Sequence, residues 1–464
     1  MGFYTVGPMS HPASRDEPLI VSVSGLRGVV GGTLTPEVAV RYIQAFVATL
    51  PPGPIVVGRD GRQSGPMLAA AIADHVTSLG RDVIDCGTAA TPTIGIVVRE
   101  RAAAGGVQIS ASHNPARYNG LKLFSAAGRV LTADAGRVVL AGYESPPTSV
   151  PSPPAVRGHV VEHDGSPAHV ALVAACVDVE AIRRRRPKVW LDSGHGAGSR
   201  AARPLLEHLG CEVVVEGGTP DGLFEHEPEP TAENLAGLLP KIAACGADVG
   251  FFQDPDADRL AIATAEGCYI GEEATLALAV EAVLAKHPGP VVVNCSTSGM
   301  TAAIAQRLGV PCHVSKVGEA NVVDEMLARG AVLGGEGNGG VIDPRVVLVR
   351  DSFIAMALVL ERLAVEATTV ERLAAALPRM VMKKTKIDLS PELRGAGLVA
   401  GLSRIEAAFP EAATSRLDGL RLDWPGGWLL VRASNTEPIV RIVAEAADNT
   451  AVEAAIARAA SALG

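Results

Sequence analysis

Three times along the chain, a short run of β-branched and apolar residues gives way to a Gly-rich polar turn, a helical segment closing on Leu-Gly, and a second apolar run. The first instance is Ile55-Val56-Val57, the turn Gly58-Arg59-Asp60-Gly61-Arg62-Gln63-Ser64-Gly65, a helix ending at Leu79-Gly80 and a strand from Asp82 to Asp85. The second is Val189-Trp190-Leu191, a turn with Ser193 and Ser199, a helix ending at Leu209-Gly210 and the strand Val213-Val214-Val215. The third is Val291-Val292-Val293, the turn Ser296-Thr297-Ser298-Gly299, a helix ending at Leu308-Gly309 and an extended stretch to Val314. Apolar runs of strand length alternating with helices predict βαβ units on parallel sheets. The spacing is too loose for a solenoid, so three repeated domains are expected.

After each unit come another helix, a short apolar strand and an unusual loop, and a hairpin and helix are expected beyond it. The loops are Ser110-Ala111-Ser112-His113-Asn114-Pro115, Asp254-Pro255-Asp256-Ala257-Asp258-Arg259 and Gly334-Gly335-Glu336-Gly337-Asn338-Gly339-Gly340. Domains built alike place these loops at equivalent carboxyl ends of strands, where open α/β sheets gather ligands, and a common cleft follows. Ahead of the first unit, Ile20 to Val23 reads as a strand and Ser24-Gly25-Leu26-Arg27-Gly28 as a turn carrying one cation. Thr35 and Pro36 then cap and open a helix toward Leu50.

A Pro- and Ser-rich stretch from Ser145 to Pro154 predicts an exposed linker, and a second break falls near Pro378. Beyond it Lys383-Lys384-Thr385-Lys386 begins a different pattern: a helix from Pro391 to Phe409, strands at Leu420 to Leu422, Trp428 to Arg432 and Ile439 to Glu445, a polar loop from Ala433 to Pro438, and an Ala-rich final helix. The expected fold class is α/β: three repeated mixed α/β domains with doubly wound-like sheets over residues 1–150, 155–260 and 261–377, plus a smaller α+β domain over 378–464, around one central cleft.

The 464 residues, 48% apolar, supply several cores, and the net charge of −9 argues against nucleic acid or an anionic membrane as the main partner. Seven scattered cysteines without a CxxC pair indicate neither a disulfide framework nor a zinc site, and a reducing cytoplasm fits them best. Met1 to Leu19 lacks the pattern of a signal peptide, and no apolar run reaches the roughly 18 residues of a membrane span. The basic run Arg183 to Arg186 reads as a solvated helix end.

Chemistry concentrates in four loops. Pro115 ends the strand before it and turns Asn114 away from helix, which leaves Ser112 and His113 on a loop at the strand's carboxyl end; alone, such a turn is equally a polar connector. Pro255 keeps Asp254, Asp256 and Asp258 off a helix, so three carboxylates share one loop and repel unless protons or a cation compensate. Oxygen ligands favour magnesium or calcium over zinc, and the calcium-loop pattern fails because Arg259 and Ala265 stand where it needs Gly and Glu. Arg432-Ala433-Ser434-Asn435-Thr436-Glu437-Pro438, with Arg441 beyond it, joins a guanidinium, hydroxyls and an amide in a turn suited to phosphate. Glu336 and Asn338 sit among glycines that let backbone approach a ligand, and both side chains suit sugar hydroxyls. Lys122, Arg27 and Lys316 are further candidate cations.

With these four loops in this order, the chain resembles the α-D-phosphohexomutase family over essentially its full length, including the turns Val23 to Gly28 and Gly58 to Gly65. The resemblance implies that Ser112 is the phosphorylated serine, that Asp254, Asp256 and Asp258 hold Mg2+ with the phosphoserine completing its shell, and that Arg259 sits beside it. It further implies that Glu336 and Asn338 hold the sugar, that Arg432, Ser434, Asn435 and Thr436, joined by Arg441, hold the phosphate that is not transferred, and that His113 and Lys122 serve proton transfer or phosphate contact. Ser110 replaces the more usual Thr, Pro255 and Ala257 stand where many members have Gly, and Asn338 where many have Ser; none removes an implied ligand. The Glu-x-Asn-Gly-Gly form is similar to the archaeal-type phosphoglucosamine mutase and phosphomannomutase branch.

The implied activity is the reversible movement of phosphate between O6 and O1 of a hexose through a phosphoserine and a hexose 1,6-bisphosphate, the latter also an activator. Glucosamine phosphate is the first expectation, mannose or glucose phosphate the second. A metal-dependent phosphosugar phosphatase and a noncatalytic phosphosugar-binding protein are the alternatives, the last opposed by the intact Ser112 and Asp loop. The expected partners are a small phosphosugar and, at most, a second copy of the chain, since monomer and homodimer are both open.

Overall fold

The computed structural model describes residues 17–145, 156–390, 393–433 and 439–463. The first unit runs β1 (Ile20–Ser22), β2 (Gly25–Val29), α1 (Pro36–Val47), β3 (Ile55–Arg59), α2 (Gly65–Ser78), β4 (Val83–Thr88), α3 (Thr91–Glu100), β5 (Gly105–Ile109), β6 (Tyr118–Ser125), α4 (Ala133–Glu144) and β7 (Val160–Glu162). The second comprises α5 (Ser166–Ala174), α6 (Val179–Arg185), β8 (Lys188–Asp192), α7 (Ala202–His208), β9 (Glu212–Glu216), α8 (Leu239–Cys245), β10 (Val249–Gln253) and β11 (Leu260–Ala263). The third comprises α9 (Glu272–Leu284), β12 (Val291–Asn294), α10 (Gly299–Arg307), β13 (Cys312–Ser315), α11 (Glu319–Arg329), β14 (Leu333–Glu336), β15 (Gly340–Ile342), α12 (Ser352–Val365) and α13 (Val370–Ala376). The fourth comprises β16 (Val381–Asp388), α14 (Ala396–Ala408), β17 (Ala413–Ser415), β18 (Leu420–Trp424), β19 (Gly427–Ala433), β20 (Ile439–Ala446) and α15 (Asn449–Leu463).

The repeat seen in the residue pattern is a repeat of topology. The sheet orders contain β6-β5-β3-β4, β11-β10-β8-β9 and β15-β14-β12-β13, and in each the first pair is antiparallel and the rest parallel. The loops after β5, β10 and β14 therefore leave equivalent strands at equivalent ends, as open sheets require of a shared site. The first sheet is extended by β1 and β2 on one edge and β7 on the other. The fourth unit is an antiparallel sheet, β16-β20-β19-β18-β17, backed by α14 and α15.

Three expectations are corrected. Residues 24–28 do not form a turn throughout: β2 spans Gly25–Val29, with Leu26 and Gly28 buried on one face and Arg27 on the other, because it pairs antiparallel with β6. Gly334, Gly335 and Glu336 are strand residues of β14, held by β12 and β15, so the third loop is shorter than its glycines suggest. The boundaries around the second unit also shift. β7 pairs with β4 of the first sheet, and the break expected at 260 falls in the β10–β11 hairpin, which carries the second sheet to Ala263. The Ser145–Pro154 linker lies outside the described residues except at Ser145.

The first three units share one large apolar cluster, beside smaller clusters within each. Helices α9 and α12 are buried on nearly every side, as helices apolar all round must be, and pack on each other at the centre of the molecule. Around them one cluster joins Ile94 and Val97 of the first unit, Ile182 and Leu191 of the second, and Ile304 and Phe353 of the third. His169 on α5 adds a polar tie: its Nδ1 lies 2.9 Å from Thr93 Oγ1 and its Nε2 2.9 Å from Asp351 Oδ2, so one buried imidazole touches all three units. Asp351 in turn caps α12, accepting from Phe353 N at 2.8 Å.

Candidate active site

β5 is fully buried and delivers the serine loop into the centre of the molecule. Ser112 has φ of +50°, a conformation that a non-glycine residue holds only when its surroundings impose it. Arg62 imposes it. Its guanidinium, 1% exposed, donates to the carbonyls of Ser112 (2.6 Å), Asn114 (2.6 Å), Pro115 (2.7 Å) and Tyr118 (2.9 Å), and to Asp60 Oδ2 at 3.0 Å. Asp60 also accepts from Ser110 Oγ at 2.6 Å, and Ser110 Oγ accepts from Ser112 N at 2.8 Å. Ser112 Oγ is thereby aimed across the unit boundary and donates to Asp254 Oδ2 at 2.7 Å. His113 Nδ1 stands 3.4 Å from the same Oγ, and Arg27 donates to Asn114 Oδ1 at 2.6 Å from the opposite side of the loop.

β10 places the Asp loop opposite. Asp254 Oδ1 accepts from the backbone N–H groups of Asp258 and Arg259, each at 3.1 Å, so the first carboxylate organises the loop that carries the other two. Lys122 Nζ bridges Asp256 Oδ2 at 2.5 Å and Asp258 Oδ2 at 2.9 Å, and Thr91 Oγ1 donates to Asp256. Arg350 binds Asp258 Oδ2 at 2.6 Å with one nitrogen and Glu336 Oε2 at 2.7 Å with another, which joins the second loop to the third. Leu260 N donates to Gly339 O at 3.1 Å and closes the same seam. The structure thus brings Ser112, His113, Lys122, Arg27, Asp254, Asp256, Asp258, Arg259 and Glu336 into one cleft.

Burial and mutual repulsion with Asp258 and Asp256 push the Asp254 carboxyl well above the ordinary range. Burial works the same way on Asp258, but Arg350, Lys122 and Arg259 overcome it and hold that carboxyl below its ordinary value; Asp256 is lowered against burial chiefly by Lys122. Burial, with Arg259 and Arg27 nearby, lowers His113 to about 3. Ligand oxygens of the three aspartates lie within 4.8 Å of one another. Asp256 Oδ1 and Asp258 Oδ1 are buried without a hydrogen-bond partner among the described residues. Two orphaned carboxylate oxygens beside a third carboxylate are a donor set for a hard divalent cation, so the residues present fit one.

A second part of the site lies between the third and fourth units, where a cavity of about 310 Å³ is lined by Glu273, Asn294, Glu336 and Asn338 on one side and Lys384, Lys386, Arg432 and Arg441 on the other. Strand register explains its charge. Lys386 on β16 is directly opposite Arg441 on β20, and Arg441 is opposite Arg432 on β19, so three cations stand in a row across one sheet face. A phosphate in the cavity would meet positive charge from all three. Arg432 also pairs with Asp418 at 3.1 Å. Lys316 is exposed on the loop after β13, and its neighbour Val317 lines the cavity. Ser434, Asn435 and Thr436 lie outside the described residues.

Four residues at the centre of this geometry carry no signal in the sequence reading. Arg62 lies in the Gly58 to Gly65 turn but acts on carbonyls some fifty positions away. Arg350 and Lys386 look like ordinary surface cations until the strands around them are aligned. Glu273 sits in the first turn of α9, where acidic residues are common for helix-dipole reasons alone.

Among the described residues no helix is long and apolar enough to cross a membrane. The chain matches, in order, phosphoglucomutase/phosphomannomutase alpha/beta/alpha domain I over residues 19–146, domain II over 167–267, domain III over 272–381 and the C-terminal domain over 385–462. It is 37% identical over 429 residues to the phosphoglucomutase/phosphomannomutase of Thermococcus kodakarensis, covering 91% of this chain and 93% of that protein. It is 34% identical over 430 residues to the probable phosphoglucosamine mutase of Methanopyrus kandleri, with the same coverage, 91% and 93%. A crystal structure of a phosphoglucomutase/phosphomannomutase family protein from Burkholderia thailandensis superposes with a TM-score of 0.82 at 27% identity, covering 96% of this chain and 98% of that one. With four domains matched in order and relatives above 30% identity over nine-tenths of its length, the chain belongs to the phosphoglucomutase/phosphomannomutase family.

Proposed function

We propose that this protein is a phosphohexomutase that interconverts hexose 6-phosphates and 1-phosphates through a phosphorylated Ser112 and a hexose 1,6-bisphosphate, with glucosamine phosphate as the preferred substrate. The observation that carries this reading is the position of Ser112 Oγ, strained into the cleft and 2.7 Å from Asp254 Oδ2, beside two carboxylate oxygens that lack partners. A phosphate on Ser112 adds about −1.5 to −2 charge next to three carboxylates, an arrangement that requires a divalent cation. Asp254, Asp256, Asp258 and the phosphoserine would hold it, and Mg2+ there would neutralise charge on the transferring phosphoryl group.

In the first half-reaction the Ser112 Oγ–P bond breaks as the sugar's free hydroxyl forms a new O–P bond, and the hydroxyl proton leaves to a nearby base. His113, 3.4 Å from Ser112 Oγ and neutral, is a group that can take that proton, while Lys122, held charged by Asp256 and Asp258, faces the phosphoryl oxygens. Arg259 and Arg350 hold the carboxylates in register. The 1,6-bisphosphate then turns end for end and its other phosphate returns to Ser112. Throughout, Glu336 and Asn338 meet the sugar, while Arg432, Arg441 and the loop of Ser434, Asn435 and Thr436 grip the distal phosphate.

The Glu-x-Asn-Gly-Gly loop and relatives such as the Methanopyrus kandleri protein support glucosamine phosphate. The 37% identical Thermococcus kodakarensis phosphoglucomutase/phosphomannomutase supports glucose and mannose phosphates as the second reading. The test is an assay of glucosamine, glucose and mannose 6-phosphates with Mg2+ and a trace of the matching 1,6-bisphosphate, alongside mass spectrometry of the purified protein. Turnover with phosphate on Ser112 supports the mutase. Release of inorganic phosphate without isomerisation, or no phosphate on Ser112 after bisphosphate treatment, overturns it.

A further inference from the structure

We infer that Glu273 is the residue by which this protein distinguishes an amino-hexose phosphate from a neutral one, through the charge of the amino group. The inference deepens the proposed mutase reading and rests on it for the identity of the ligand. Glu273 opens α9 and lines the cavity between the third and fourth units with Glu336 and Asn338. Its Oε2 accepts from Ser298 N at 2.9 Å, whereas its Oε1 is buried and has no hydrogen-bond partner among the described residues. Glu336, the other carboxylate of the cavity, differs. Its Oε1 accepts from Asn294 Nδ2 at 2.7 Å and Gly318 N at 2.9 Å, and its Oε2 from Arg350 at 2.7 Å, so protein donors already serve both oxygens. Of the two, only Glu273 keeps an oxygen without a protein partner among the described residues.

The backbone is built around that carboxylate. A Cβ at Gly337 would lie 2.0 to 2.2 Å from the Glu273 carboxyl atoms, so Gly in the sugar loop is what lets the carboxylate occupy this position. The rest of the cavity is polarised. Lys386, Arg441 and Arg432 stand in register on the fourth unit's sheet, and the carboxylates stand on the third unit. A ligand with phosphate at one end and an ammonium on the ring matches that distribution at both ends. A neutral hexose phosphate matches only the cationic side: its hydroxyl offers Glu273 one uncharged donor, whereas an ammonium offers charge and several donors, and charge-assisted hydrogen bonds are about twice as strong as neutral ones. Burial raises the Glu273 carboxyl to about 8, so an unfilled site holds it protonated and the arriving ammonium provides the charge that ionises it. The groups around it are Lys384 on β16, Glu445 on β20 and Glu272 on its own helix, and Lys384 Nζ lies 4.0 Å from Glu272 Oε2.

The test compares kcat/KM for glucosamine 6-phosphate and glucose 6-phosphate in the full-length enzyme and in E273Q, with Mg2+ and glucose 1,6-bisphosphate. Gln keeps the shape and the acceptor for Ser298 N, removes the charge, and puts an amide N–H, which can donate to a hydroxyl but not to an ammonium, in place of the free oxygen. The glucosamine-to-glucose ratio is expected to fall at least tenfold in E273Q. It is expected to fall in the same direction in G337A, where the added methyl displaces an intact carboxylate. A ratio unchanged within twofold in both variants overturns the inference. Should the wild-type protein isomerise neither sugar, the mutase reading fails by that result alone, and calorimetric Kd values for the same two phosphates decide Glu273: a ratio that moves with E273Q sustains it, and one that does not overturns it.

Discussion

The three repeated units and the fourth unit are joined to the molecule in opposite ways. Units one to three each have a cluster of their own but are joined by a large shared one threaded by α9 and α12, and a single buried histidine bonds to residues of both other units. The fourth unit has a core of its own, with Ile405, Leu420, Leu429, Ile442 and Val452. It meets the third through a small patch of Cys295, Trp428 and Leu430, ringed by Gly299 N to Glu445 Oε1 at 2.7 Å and Val317 N to Asp418 Oδ2 at 2.9 Å. Small, partly polar contacts between domains permit relative motion, and a shared core does not. The division follows the proposed chemistry: groups around a phosphoryl-carrying Ser112 would depend on sub-ångström placement, whereas a phosphate grip that releases a turning intermediate would depend on being able to open. Variants in the fused body should therefore act on kcat, and variants in the fourth unit on KM.

The largest effect is expected for S112A. Loss of the phosphate carrier should lower mutase kcat at least about 10⁴-fold, while calorimetric binding of hexose phosphate stays within roughly threefold, because the grip lies elsewhere. Binding lost in parallel with turnover would dissolve the division. R62K comes next. Lys keeps the charge but not the fork that meets four carbonyls, and a misplacement near 1 Å costs about 10²-fold in rate. Its kcat should fall roughly ten- to a hundredfold with KM nearly constant; a rise in KM instead would make Arg62 a binding residue. K386A should do the reverse, raising KM about fivefold at low ionic strength and less in high salt, with kcat within twofold. A salt-independent effect would show that Lys386 is not part of the anion row.

The repeat was legible because strands such as Val291-Val292-Val293 are buried on both faces and each first helix stops at Leu-Gly, where the glycine takes a positive φ in all three units. Three similar loops on three similar units then implied convergence before any coordinates. What stayed hidden depends on pairing at a distance. Arg27 read as a turn residue because nothing local announces that β2 joins β6 as an edge strand. Arg62 read as one more polar turn residue because its partners are backbone carbonyls, which every residue has. The cation row of Lys386, Arg441 and Arg432 exists only once β16, β20 and β19 are in register, and a shift of one residue would turn Lys386 to the other face.

The smallest expected effect is on stability, and it bears on why Glu273 is there. Its folded carboxyl titrates near 8, against about 4.5 ordinarily, with burial as the main cause. Below the ordinary value the group is protonated in both states and opposes folding in neither. As pH rises from there, the unfolded chain releases this proton and the folded one keeps it, so stability drains away until the folded group ionises near pH 8. E273Q removes the drain. The difference in unfolding midpoint, E273Q minus wild type, should be near zero at about pH 3.5 and rise to a few degrees by pH 8 in thermal scans without ligand. Lys384 works against this trend and Glu445 and Glu272 with it, so K384A should enlarge the difference. A difference that is flat with pH would mean the carboxyl ionises at its ordinary value and already has a donor in the free protein. A side chain whose removal stabilised the free protein near pH 8 would be one that packing alone gives no reason to keep, as a ligand-binding role for Glu273 requires.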